Sequence, residues 1–185
     1  MSTPMRDHIL DVASDLFATR GINATGVDAI VAQAGIAKMT LYKYFKSKEQ
    51  LIIEYLQQHN DHLRLELLGR LRKPAPDSTP LFDLINAVME WIAEPDFKGF
   101  AFIGASIEFP QTENPVHQTS LGFAQDLRAM ISASAQASGV KKPEVLALQL
   151  SLLIEGAAMA EQMQHGTDNI KHTLAAAKTL IDAAI

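Results

Sequence analysis

Thr25-Gly26-Val27-Asp28-Ala29-Ile30-Val31-Ala32-Gln33-Ala34-Gly35-Ile36-Ala37-Lys38-Met39-Thr40-Leu41-Tyr42-Lys43-Tyr44-Phe45-Lys46-Ser47-Lys48 is the stretch that decides the fold. Val27, Ile30, Val31 and Ala34 form an apolar stripe on a short helix that reaches Gly35, a residue suited to the left-handed turn that stops a helix. Thr25 and Asp28 have capping-box spacing, with Asp in the place of Glu. After Gly35-Ile36 a second short helix is predicted from Ala37 to Phe45, with Leu41 and Phe45 inward and Lys38, Thr40 and Lys43 outward. Two short helices around a tight turn, the second with a polar outer face, make a helix-turn-helix whose second helix can enter a major groove.

The flanks complete an all-helical pattern. Ile9, Val12, Ala13, Leu16 and Phe17 recur at helical spacing over about 5–20, and Gly21 offers a stop. Ser47 and Gln50 form a second capping-box pair, and leucines at 51, 56, 63, 67, 68 and 71 carry a long amphipathic helix to about 72. Lys73-Pro74-Ala75-Pro76-Asp77-Ser78 is a predicted break, and Thr79-Pro80 an N-cap with proline in the first helical position, opening a helix to about Ile92. Further helices are expected over Phe100–Phe109, from Asn114-Pro115 to Ser138-Gly139, from Pro143 to about 164, and from a Thr167-Asp168 cap to Ile185. The one opened by Pro143 is apolar on most of its circumference and is expected to be buried on nearly all sides. The sum is about nine helices. Residues 1–48 are the expected helix-turn-helix domain, and 49–185 a second helical bundle joined to it by the fourth helix.

The 185 residues contain no cysteine, which excludes disulfides, thiolate metal sites and cysteine nucleophiles. The formal net charge of −5 argues against nucleic acid as an average. The distribution says otherwise. Residues 1–50 carry six basic and five acidic side chains, the other 135 ten basic and sixteen acidic. Lys38, Lys43, Lys46 and Lys48 fall within eleven residues that hold no acid, so positive charge gathers where a phosphate backbone would lie. Asp7, Asp11 and Asp15 interrupt any apolar leader, and no run of about 18 uncharged apolar residues occurs, so a cytoplasmic chain without a membrane partner is expected.

The pattern Thr25-x4-Ile30-x3-Ala34-Gly35-Ile36-x3-Thr40-Leu41-Tyr42-x-Tyr44-Phe45-x-Ser47-Lys48-Glu49-x-Leu51 resembles the signature of the tetracycline-repressor (TetR-type) family of transcriptional regulators. Ala37 departs from it where the family usually has Ser or Thr at an N-cap, and Val31 where a smaller alanine is usual. The segment from Gly99 to Val116 resembles, more loosely, the sensing region of one subgroup. The resemblance implies a repressor that binds a near-palindromic operator as a homodimer built on the eighth and ninth helices, with no cofactor. Leu148, Leu152, Ala157, Ala160, Leu174, Ala177 and Ile181 supply the apolar and small residues for that interface.

At single positions, Lys38, Met39, Thr40 and Lys43 are the base-reading candidates: lysine can donate to guanine, and threonine or methionine can touch a thymine methyl. Thr25, Tyr42, Tyr44, Lys46 and Lys48 are expected to hold phosphates and set the register. A cavity between the fourth and seventh helices is expected to take a small apolar or aromatic effector. Its lining is drawn from Tyr55, His59, Met89, Trp91, Phe102, Ile103, Phe109, Phe123, Met130 and Met159, with His59, Glu108, His117 and Gln162 as polar groups.

An enzyme is the alternative, because a bundle can point Glu108, Glu155 and Glu161 inward, but no glycine-rich phosphate loop, nucleophile elbow or metal motif accompanies them. A helix-turn-helix turned protein-binding module is the third reading, against which the lysines and tyrosines speak.

Overall fold

The computed structural model describes residues 3–71, 78–164, 166 and 168–185. Among the described residues there are nine α-helices and no strand. They are α1 (Pro4–Arg20), α2 (Val27–Ala34), α3 (Lys38–Tyr44), α4 (Lys48–Leu71), α5 (Pro80–Ile92), α6 (Ala101–Glu108), α7 (Pro115–Ala137), α8 (Pro143–Met163) and α9 (Asn169–Ala184). The break predicted at 73–77 and the capping role predicted for Thr167 lie outside the described residues.

Local chemistry explains most boundaries. Thr3 and Thr79 accept hydrogen bonds from Arg6 N and Phe82 N, and Pro4 and Pro80 follow them at the first helical position, where a missing N–H costs nothing. Gly35 adopts φ 67°, ψ 32°, and the amide of Ile36 donates to Val31 O, which closes α2. Ser47 Oγ accepts from Gln50 N at 3.1 Å, while Gln50 Oε1 accepts from Lys46 N at 2.7 Å. The box predicted for α2 is corrected: its N-cap is Gly26, with no side-chain hydrogen bond. Ala37, the N-cap of α3, likewise supplies none.

Residues Met1–Asp61 and Ala101–Gly122 make one compact unit, so α6 and the start of α7 join the three N-terminal helices and the first part of α4. Its interior is Ile9, Ala13, Phe17, Ile30, Leu41, Phe45, Leu51 and Ile52, each 3% exposed or less. The stripes of α1 and α2 face inward together, and α2 packs in turn on α3. Arg6 pairs with Glu54 and places its guanidinium 4.9 Å from the Phe45 ring centre, covering the end of that core.

Residues His62–Phe100 and Phe123–Ile185 make the second unit, in which α5, α8 and α9 pack on one another. Leu81, Leu84, Ile85, Val88, Met89 and Ile92 of α5 are buried, as are Leu146, Leu150, Ile154 and Ala158 of α8. The expectation that α8 is covered on nearly all sides is corrected. Val145, Leu148, Leu152, Met159 and Met163 are exposed, because they lie away from the face that meets α5 and α9. The predicted interface set divides for the same reason. Leu148 and Leu152 face outward and Ala160 and Leu174 are half-buried, but Ala157, Ala177 and Ile181 are spent inside the chain. By length and composition α8 is also long and apolar enough to cross a membrane. Its inner stripe is nonetheless core, and its buried Glu161 accepts a hydrogen bond from Gly166 N at 3.2 Å.

Candidate nucleic-acid interface

The surface of α3 follows from its seven residues. Leu41 is fully buried, and Phe45 just beyond it anchors the end of the helix, which forces residues 38, 39, 42 and 43 outward. Met39 is 79% exposed, a large apolar side chain held in water, and Tyr42 is 41% exposed. Lys43 is exposed, with its ammonium 6.0 Å from the Tyr44 ring centre, while Thr40 and Tyr44 are half-buried. Lys46 is exposed in the turn before α4. Lys38 Nζ donates to Asp28 Oδ1 at 2.8 Å across the α2–α3 corner.

Two expected phosphate contacts have other work. Thr25 is fully buried, and its hydroxyl donates to Gly21 O at 2.8 Å and Leu16 O at 3.3 Å. The carbonyls at the end of α1 need a donor, so this side chain holds the α1–α2 turn and cannot reach solvent. Lys48 is half-buried and donates to Ile22 O at 2.7 Å. Burial pushes its ammonium pKa down, and the Glu108 charge opposes that shift.

Glu108, at the last turn of α6, is the residue that sequence spacing could not place. Its two carboxylate oxygens accept from the backbone amides of Ile22 at 2.9 Å and Asn23 at 2.6 Å. Asn23 Nδ2 returns a bond to Glu108 O at 3.1 Å. Lys48 holds the carbonyl of the same residue whose amide Glu108 holds, so one turn is clamped by an anion on its donors and a cation on its acceptor. Gly21, at φ 86°, opens the turn, and the Glu108 carboxylate lies 3.5 Å from where its Cβ would be.

The predicted effector residues fall in both units. In the first, Tyr55 is buried, its ring edge-on to Phe17 at 5.3 Å and to His59 at 4.6 Å. Phe102 is buried, and Ile103 and Phe109 are half-buried. In the second, Trp91 packs on Phe97 and Phe100 with ring centres 5.0 and 5.5 Å away. Met89 is fully buried, Phe123 and Met130 are half-buried, and Met159 is exposed. Three of the expected polar groups are committed to backbone: Glu108 as above, His117 Nδ1 to Phe109 O at 2.8 Å, and Gln162 Nε2 to Lys98 O at 3.1 Å. A cavity of about 410 Å³ in the second unit is lined by Leu65, Glu66, Gly69, Arg70 and Glu90. In its wall Arg70 pairs with Glu66 and Glu90, and it also reaches Glu94 beyond the lining.

Burial, reinforced by the Glu108 charge, pushes the Tyr55 pKa up to about 12. Below pH 10 the phenol is neutral in both folded and unfolded chains and adds no slope. Between about pH 10 and 12 the unfolded chain loses this proton while the folded chain keeps it, so stability falls by about 2–3 kcal/mol. Tyr55→Phe is expected to remove that share of the alkaline loss, read as the difference between the two proteins' urea midpoints at pH 9 and pH 11.5. Identical differences at both pH values would show that Tyr55 ionises freely.

The family profile described as "Bacterial regulatory proteins, tetR family" matches residues 9–55. The activator FasR of Mycolicibacterium smegmatis is 35% identical over 98 residues, 53% of this chain and 44% of the relative. The repressor KstR2 of the same organism is 40% identical over 80 residues, 42% of this chain and 39% of the relative. YuxN of Bacillus subtilis, described as an uncharacterized HTH-type transcriptional regulator, is 30% identical over 153 residues, 80% of this chain and 50% of the relative. The chain thus spans half or less of the length of these curated relatives. A TetR-family transcriptional regulator from Streptomyces coelicolor shares the fold at TM-score 0.87 and 24% identity, covering 97% of this chain and 95% of that one. A tetR-type regulator from Streptomyces avermitilis matches at TM-score 0.81 and 27% identity over 98% of both chains. These relatives are regulators rather than enzymes, which sets the inward glutamates aside as a catalytic reading. The helix-turn-helix of α2 and α3 and the profile across it make residues 9–55 a tetR-family helix-turn-helix region, within a chain that shares the fold of solved tetR-type regulators along its length.

Proposed function

We propose that this chain is a DNA-binding transcriptional repressor, working as a homodimer on a near-palindromic operator and released from it by a small apolar or aromatic effector. The observation that carries the reading is the outer face of α3, where Met39, Tyr42 and Lys43 stand exposed on a helix anchored from behind by Leu41 and Phe45. Lys43 and Met39 read base edges, helped by Lys38 and Thr40, and Tyr42, Tyr44 and Lys46 position the helix on phosphates. Residues 1–48 do the binding, and 49–185 carry effector sensing and dimerisation. The exposed leucines of α8, Leu148 and Leu152, with Leu174 of α9, supply the two-fold contact.

The effector acts on α6. Withdrawal of the Glu108 carboxylate frees the amides of Ile22 and Asn23 and loosens the turn from which α2 and α3 depart. Two recognition helices so loosened no longer match half-sites about 34–36 Å apart. Coupling of this kind is reciprocal, so operator DNA weakens effector binding by the same factor.

Selection from random duplexes by the purified chain tests the reading. An inverted repeat is expected to emerge. Lys43→Ala is expected to cost about 1–3 kcal/mol on it and to blur one position, while Tyr42→Phe weakens all sequences alike. Selection that enriches no inverted repeat overturns the proposal.

A further inference from the structure

Asp28 and Lys38 meet at the corner between α2 and α3, at the end of α3 from which a recognition helix enters a groove. Lys38 is the first residue of α3, and Asp28 lies in the first turn of α2. Their side chains are 52% and 82% exposed, with nitrogen and oxygen 2.8 Å apart. An ion pair this exposed adds little to folding. Its consequence lies in which anion the ammonium holds when DNA arrives. Lys43 and Lys46, the other exposed lysines of this surface, have no carboxylate partner among the described residues, and the third, Lys48, is turned to Ile22 O. Among the described lysines of this surface, Lys38 alone meets DNA with an anion already attached.

We infer that Asp28 is a specificity-determining counter-charge, an internal competitor that keeps Lys38 from serving as a general phosphate anchor. The inference rests on the DNA-binding reading of α3. Non-specific affinity is set by how many phosphates are neutralised, and each one adds a share of salt dependence. A lysine that must first leave a carboxylate contributes less to that count. The carboxylate, displaced but still beside the DNA, also faces the phosphates with like charge. The like-charge effect falls on every duplex alike, and the forgone phosphate falls where Lys38 has only a phosphate to hold. On the operator Lys38 is turned to a base edge beside Met39 and Lys43 and forgoes no phosphate, whereas on other sequences the forgone phosphate is a full loss, so the ratio of specific to non-specific binding rises. The hydrogen bond to Asp28, followed by its charge, also raises the Lys38 pKa, as holding a carboxylate does for an ammonium.

Asp28→Asn keeps the shape of the side chain and removes its charge. The experiment measures binding of the full chain to its selected operator and to a scrambled duplex of equal length, across a salt series. Asp28→Asn is expected to bind the scrambled duplex about three- to tenfold tighter, with a salt slope steeper by about 0.9, the share of one further phosphate. Operator affinity rises less, so discrimination falls. In the Lys38→Ala background the same change is expected to lose most of its effect, because the lysine it releases is absent. An unchanged scrambled-duplex affinity overturns the inference, as does operator binding that weakens, since Asp28 would then be aiming Lys38 at a base. An equal gain with and without Lys38 overturns it too, by showing simple repulsion. Wild-type chain that binds neither duplex rejects the DNA-binding reading itself, a result separate from these three.

Discussion

Phe45→Ala is expected to unfold the N-terminal unit at moderate temperature and to abolish DNA binding with it. Phe45 is fully buried beside Leu41, and its backbone amide closes α3 onto Leu41 O at 2.9 Å. Truncating a buried phenylalanine costs about 3–5 kcal/mol, from lost transfer energy and the cavity left behind. A unit of this size has little more than that in hand, since whole domains are stable by about 5–15 kcal/mol. Here the loss is compounded, because the Arg6 guanidinium loses the ring beneath it and keeps only its pair with Glu54. At roughly 4–8 °C per kcal/mol, the melting transition should fall by 10 °C or more. Phe45→Leu, which refills most of the volume, is expected to keep DNA binding and lose about a third as much. Circular-dichroism melts of the two variants decide the matter. An alanine variant that melts within a degree or two of the parent would mean that Phe45 is not the anchor of α3.

Glu108→Ala is expected to free the α1–α2 turn without unfolding α6. Two backbone amides lose a charged acceptor at once, and hydrogen bonds to charged groups are worth about 1.5–3 kcal/mol each when buried. The site is half-buried and water can replace part of the loss, so about 2 kcal/mol is the expected cost. That corresponds to roughly thirtyfold faster hydrogen exchange at Ile22 and Asn23 through local opening. Exchange in α5 and α8, whose packing does not involve this contact, should stay as it was. Glu108→Gln retains one acceptor oxygen and should lie between the two. Because the turn sets where α2 begins, operator affinity is expected to drop several-fold in the alanine variant, while the selected sequence stays the same. Protection at Ile22 and Asn23 equal to that of the parent would remove Glu108 from the mechanism.

What the sequence determined by itself was local. Ile9, Ala13 and Phe17, or Leu51, Tyr55 and Leu63, recur at the period of a helix and proved to be the buried positions of α1 and α4. Gly35, Thr79-Pro80 and Pro143 mark ends because left-handed φ and a missing N–H are properties of single residues. The outward turn of Met39, Tyr42 and Lys43 was legible for the same reason, since burying Leu41 and Phe45 leaves them nowhere else to point.

The tertiary structure alone decided what covers each stripe and which polar groups find each other. Thr25 had the spacing of a cap, yet its hydroxyl went back to Gly21 O, because the nearest unsatisfied carbonyls belonged to the end of α1. Ala157, Ala177 and Ile181 looked as available to a partner as Leu148 and Leu152 did, and only the packing of α8 on α9 spent the first three and left the leucines exposed. Glu108 meets its turn across 86 residues of chain. Periodicity carries the direction of a side chain on its own helix and nothing about the neighbour that the fold brings to it, so contacts of that length exist only once the helices have packed.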